Sequence, residues 1–128
     1  MQTVIDYALA ILRGSNAVRA IVGNKIYFES TPEGIGAPFV TVDLVSDIAR
    51  NPDLTSVGDI WLAELQINAF TKSKDASQNI ASIILSLFNS TTPDDVFLSC
   101  EASQVAPLYE PNDQLYQFVL TIKINHII

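Results

Sequence analysis

The sequence predicts an α+β fold, an antiparallel β-sheet of four to five strands with two main helices packed on one face, built as a single domain over residues 1–128. Three observations carry this prediction. Residues 75–88 place apolar side chains at Ala76, Ile80, Ile83, Ile84, Leu87 and Phe88, the spacing of a helix that covers a sheet. Residues 60–70 and 114–127 instead alternate with the period of two that marks a strand. Taken along the chain, the order is helix, two to three strands, helix, two strands, which suits an antiparallel sheet with its helices on one side.

Each element has a local reason. Thr3 is placed to cap a helix whose stripe is Val4, Ile5, Ala8, Leu9, Ile11 and Leu12, and Asp6 stands where a capping box needs its acid. Gly14 is expected to end this helix, Ser15 or Asn16 to start a second helical turn, and Gly23 to stop that one. Residues 26–28 are a short strand candidate. Pro32, Gly34, Gly36 and Pro38 then make a corner before "PFVTVDLVSD", a strand with Val40, Val42 and Leu44 on one face. Residues 46–59 lose periodicity, and a connection of that length is usually functional or mobile. "IWLAELQINAF" resumes as a strand, with Trp61, Ala63, Leu65, Ile67 and Ala69 on one face and Leu62, Glu64, Gln66, Asn68 and Phe70 on the other. The two runs are expected to pair as a long hairpin. After the covering helix, 89–95 reads as a loop and "VFLSCEASQV" as a strand with Val96, Leu98, Cys100 and Ala102 inward. "APLYEPND" is expected to turn, and the last strand to turn Tyr116, Phe118, Leu120, Ile122 and Ile124 inward, closing a second hairpin.

Composition narrows the function classes. Apolar residues make up 48% and charged residues 16%, with a mean hydropathy of +0.28, so the chain is too apolar to be disordered and under-charged for a soluble monomer. Some apolar surface is therefore expected to meet another subunit. No apolar run approaches the ~20 residues that span a bilayer, and Asp6 stands where a secretory signal is basic, so the N-terminus reads as part of the fold. The single cysteine, Cys100, excludes an internal disulfide and a cysteine-based metal cluster and suits a reducing cytoplasm. The net charge is −7, and between Lys74 and Lys123 there are six acids and no Lys or Arg. Such a surface repels nucleic acid.

The residue types capable of chemistry have plainer uses. In "PEGIG" the glycines lack the helix N-terminus that a phosphate loop needs, because Pro38 and a strand follow, so Pro32, Gly34, Gly36 and Pro38 read as a corner loop. Cys100 and His126, both on inward positions of the last two strands, are the candidate pair for nucleophilic catalysis, but no orienting acid stands at a recognisable spacing. Asp94 with Asp95, and Glu110 with Asp113, lack the alternating spacing of a calcium loop. The aromatic residues are not interleaved with Lys or Arg, as a single-strand binding platform requires. In the long connection Arg50 stands among Asp47, Asp53 and Asp59, and Ile48, Arg50, Asn51, Asp53 and Leu54 are the candidate loop for contact with a neighbouring subunit or tube. No catalytic residue, cofactor or metal ligand is assigned.

Read together, "NAVRAIVGNKIY", a proline-containing turn, "PFVTVDLVSD", a long polar loop with a glycine, "IWLAELQINAF", "ASQNIASIILSLF" and the late "YEPNDQLYQFVLTIKI" resemble the small tail-completion or tail-terminator proteins of long-tailed bacteriophages and prophages. The resemblance covers nearly the whole chain. It implies an α/β sandwich and a homo-oligomeric ring, typically a hexamer, at the head-proximal end of the tail tube. The ring would stop tube polymerisation and join the tail to the head connector, with tail tube protein and connector protein as partners. Double-stranded DNA would only pass through the pore; no membrane, enzymatic activity or cofactor is implied. The protein would sit in the virion tail after assembly in the host cytoplasm. A neck or head-tail adaptor between portal and tail is the alternative within this class, and a small-ligand-binding α+β domain, an enzyme on that scaffold or an acidic mimic of DNA are those outside it.

Overall fold

A computed structural model describes residues 3–28, 36–49, 60–94, 96–110 and 115–127. Helix α1 (Val4–Gly14) begins with the capping box foreseen from Thr3 and Asp6: the Asp6 backbone N–H donates to Thr3 Oγ1 at 3.1 Å, and the Thr3 N–H donates to Asp6 Oδ2 at 3.4 Å. Two orphan donors of the first turn are thereby satisfied. Gly14 is the last helical residue, and the break falls instead at Ser15, whose backbone is extended. Ser15 also accepts from the Val18 N–H at 3.3 Å, so it caps α2 (Asn16–Val22). Gly23 closes α2 at φ +61, where glycine escapes the steric cost that a Cβ brings.

Strands β1 (Ile26–Phe28), β2 (Phe39–Ala49), β3 (Ile60–Thr71), β4 (Phe97–Glu110) and β5 (Leu115–Ile127) form one sheet in the order β1-β2-β3-β5-β4. Three of its four pairings are antiparallel, as expected; β1 runs parallel to β2. The β2–β3 and β4–β5 hairpins are those read from the alternation. Helix α3 (Lys74–Asn89) joins β3 to β4, and Ser73 caps it by accepting from the Ala76 N–H at 3.1 Å.

All three helices share one core with a single face of the sheet. Leu12, Val18, Ile80, Ile84 and Phe88 meet Val40, Val42, Leu65, Ile67, Leu120, Ile122 and Ile124, all without solvent contact. The stripe of α3 is rotated from the expected one: Ser77 and Ala81 are buried, whereas Ile83 and Leu87 are only partly covered. Small residues let the helix lie close to the sheet, and the larger aliphatic groups flank the contact.

Three strand expectations change. Strand β2 continues to Ala49, paired with Trp61, where residues 46–59 read as an aperiodic connection. A register shift between Leu44 and Ser46 disturbs the alternation, which hides the strand from a period-two reading. A second shift, between Phe97 and Ser99, reverses the start of β4: Phe97 is buried and Val96 is 43% exposed, the opposite of the expected inward Val96. The β4 strand then runs through Pro107 to Glu110 instead of turning at "APLYEPND". Proline is tolerated there because β4 is the sheet's last strand.

Candidate functional site

Among the described residues, the features available for function are two edges of the sheet, its helix-free face and one buried ion-pairing contact. On the helix-free face, Asn68 is 4% exposed and joins three strands. Its Oδ1 accepts from Gln66 Nε2 and from Gln117 Nε2, each at 2.9 Å, and its Nδ2 donates to Thr41 Oγ1 at 3.2 Å and Asp43 Oδ2 at 3.1 Å. The amide thus meets partners on both its oxygen and its nitrogen, which fixes its orientation. Sequence reasoning placed Asn68 on this face without singling it out; the signal was the repeated amide and hydroxyl side chains on the second face of adjoining strands.

The buried contact joins β2 to β5. His126, 5% exposed, donates from Nε2 to Asp47 Oδ1 at 2.8 Å. An ionised carboxylate offers no proton, so this nitrogen carries the hydrogen. Phe97 stacks beside the imidazole with ring centroids 6.2 Å apart, and Tyr7 of α1 stacks on Phe97 at 3.9 Å. Asp47 reaches the core face because the β2 irregularity shifts its alternation, so that Asp47 lies opposite Ala63. That shift is invisible in the sequence, and Asp47 was read only as a loop acid. Burial, with smaller contributions from Cys100 and Asp94, raises the Tyr7 phenol above its ordinary range.

The pairing of Cys100 with His126 is not formed. Cys100 lies opposite Ile124, and Phe97 is the residue opposite His126. Burial pushes the Cys100 thiol up to about 11, away from the thiolate that a nucleophile needs. Cys100 is therefore expected to react with a disulfide reagent far more slowly in the native protein than in denaturant at pH 8. Because the folded thiol is raised, the stability it confers is complete below the unfolded thiol's range and is lost as pH climbs towards about 11. Urea melts across that window should show falling midpoints that Cys100→Ser flattens. Equal native and denatured reactivity would sink this account.

Asp94 is occupied by the backbone. Its Oδ1 accepts from the N–H groups of Val96 at 2.8 Å and Phe97 at 2.7 Å, and those bonds hold the carboxyl below its usual range. Asp95 and Asp113 lie outside the described residues, as does the Glu110 side chain. Among the described residues, no group of three or more His, Cys, Asp or Glu converges to hold a metal ion, and no helix is long and apolar enough to cross a membrane. A groove of about 440 Å³ runs between Ser15, Ala17, Ser82, Ile83 and Leu87, and another of about 280 Å³ lies between Ile21, Pro38, Lys72 and Ala76. Their linings offer methyl and hydroxyl groups and one ammonium.

Of the candidate interface loop, Ile48 belongs to β2 and is 63% exposed, while Arg50, Asn51, Asp53, Leu54 and the neighbouring Asp59 lie outside the described residues. Of the corner loop, Pro32 and Gly34 lie outside them; the Gly36 carbonyl accepts from Lys25 Nζ at 3.0 Å, and Pro38 directly precedes β2.

The comparisons with known proteins accord with this fold. No curated protein matches the chain. A chain from a solved structure described as "Virion of native gene transfer agent (GTA) particle" is similar over 94% of this chain and 92% of its own length, with a TM-score of 0.71 and 13% identity. At that identity the likeness speaks for the fold. The family model described as Tail completion protein gp17 matches residues 8–126. With that match spanning nearly all of its length, the chain belongs to the tail completion protein gp17 family and is a structural protein of phage tails.

Proposed function

We propose that the protein is a non-enzymatic ring subunit, acting as one domain and assembled as a hexamer at the head-proximal end of the tail tube. There it ends tube polymerisation and joins the tail to the head connector. The family match over residues 8–126 carries this reading. The structure supports it in kind, with a helix-backed sheet on one shared core and exposed apolar residues outside it. Its partners are then copies of itself, the tail tube protein and the connector protein, with the loop of Ile48, Arg50, Asn51, Asp53 and Leu54 assigned to contact with a neighbour or the tube and the corner of Pro32, Gly34, Gly36 and Pro38 to presenting the hairpin. Duplex DNA passes without adhering, since a net charge of −7 offers it little counterion release.

Removing the gene from its phage or prophage provides the test. Tubes of irregular length that fail to join filled heads are the expected product, and restoring the protein in trans should rescue both defects. Tails of normal length that lack heads would move the protein to a neck adaptor; normal, infectious particles would overturn the reading.

A further inference from the structure

Strand β4 is the last of the sheet, so among the described residues one side of its backbone has no neighbouring strand. Its pairing with β5 shows which residues face that side. In an antiparallel pair every second position turns its N–H and C=O away from the partner strand. Phe97 stands opposite His126, Ala102 opposite Ile122 and Pro107 opposite Phe118, three β5 positions of equal parity. The Ile127 N–H donates to the Val96 carbonyl at 2.8 Å, so Val96 faces β5 and the backbone of Phe97, one residue on, faces out. In an unbroken strand, residues five apart face opposite ways. The register shifts between Phe97 and Ser99 and between Gln104 and Ala106 bring all three to the outer margin.

None of the three can pair fully with a further strand. The Asn89 side chain donates from Nδ2 to the Ala102 carbonyl at 3.2 Å and accepts the Ala102 N–H on Oδ1 at 2.8 Å. Asp94 accepts the Phe97 N–H on Oδ1 at 2.7 Å and donates its own N–H to the Phe97 carbonyl at 3.1 Å. Each contact is the two-bond exchange that an antiparallel strand makes with the residue opposite. Pro107 has no N–H to offer. Cys100 and Gln104, opposite Ile124 and Leu120, stand between these positions. A strand arriving at this margin therefore never meets two outward residues in succession with both bonds to give.

We propose that Asn89 and Asp94 are strand mimics that hold the β4 margin closed to a strand from a second copy of this chain. An uncovered margin is a template for edge-to-edge pairing. Such pairing is made by backbone alone, and a second copy presents the identical margin, so two β4 strands could join antiparallel about a two-fold axis. Both mimics are held by the fold. Asn89 ends α3 directly after Phe88, whose ring is fully buried, and the Asp94 carboxylate also takes the Val96 N–H at 2.8 Å. The proposal concerns this margin alone and stands apart from the ring reading.

The test compares full-length variants by amide hydrogen exchange and infrared spectroscopy. Asn89→Ala and Asp94→Ala should raise exchange at the N–H that each side chain covers, Ala102 and Phe97 respectively, at least about tenfold. The double variant Asn89→Ala/Asp94→Ala should then associate with rising concentration and gain the infrared band of intermolecular β-sheet. Adding Ser103→Lys, a charge at an exposed position of β4, should remove that band. Ser73→Ala serves as the control, since it removes the N-cap at the opposite end of α3 from Asn89, and it should show no band. An equal band in Ser73→Ala would assign the association to lost stability and overturn the proposal. A double variant that exchanges fast at Ala102 and Phe97 yet gains no band at any concentration would overturn it too, as would unchanged exchange in both single variants. Should the double variant fail to fold, Asn89→Ala alone is read in the same way.

Discussion

Phe88→Ala is expected to lower the unfolding free energy by about 3–5 kcal/mol, the range for truncating a buried phenylalanine. Phe88 stands in the last turn of α3 with no solvent contact, within the core that joins the helices to the sheet. Removing the ring forfeits its transfer free energy and leaves a cavity that surrounding aliphatic groups close only in part. Since a domain's total stability is about 5–15 kcal/mol, the variant sits near the limit of folding at 37 °C. Urea denaturation provides the measure, with a lower midpoint and an unchanged m-value as the signature. Ser82→Ala, at an exposed position of the same helix, should shift stability by no more than about 0.5 kcal/mol. A loss below about 1 kcal/mol for Phe88→Ala would mean that α3 does not anchor the fold.

His126→Ala is the second large effect, expected at about 2–3 kcal/mol, less than the 3–5 typical of breaking a fully buried ion pair. Asp47 retains 26% side-chain exposure, so water can take up its carboxylate after the imidazole is gone. The variant also removes the ring beside Phe97 and loosens the stack reaching Tyr7. Asp47→Asn should cost less, about 1 kcal/mol, because the amide oxygen can still accept from Nε2. A double-mutant cycle between Asp47→Ala and His126→Ala should return a coupling of at least about 1 kcal/mol. Additive losses would show that the two groups lie close without stabilising each other. The contact also ties the far end of β2 to β5 across β3, so a loosened pair should raise amide exchange at that end of β2.

The elements that sequence reasoning placed well are those whose period survives intact. The stripe of α1, the core face of β3 and the inward set of β5 repeat without interruption, because these residues face one core, and α3 keeps Ile80, Ile84 and Phe88 of its expected stripe in that core. The Thr3–Asp6 box and the Gly23 stop were legible because their physics lies within a few residues. The irregularities of β2 and β4 were not. One extra residue in a strand reverses the inside and outside of everything beyond it, and only pairing with the neighbouring strand reveals it.

The candidate site divides along the same line. Composition led to an expectation of surface meant for a partner, and of the catalytic pairs considered from sequence, Cys100 with His126 is not formed because Phe97 lies opposite His126. What meets inside the fold was decided by tertiary structure: strand order put β1 and β4 at the margins of the sheet and brought Asp47 to His126 across β3. By itself the sequence determined the periods, the caps and the charge, since these depend on neighbours within a turn or two. Which residues meet across the sheet depends on strand order and register, and these emerge only when distant segments bury their apolar faces together.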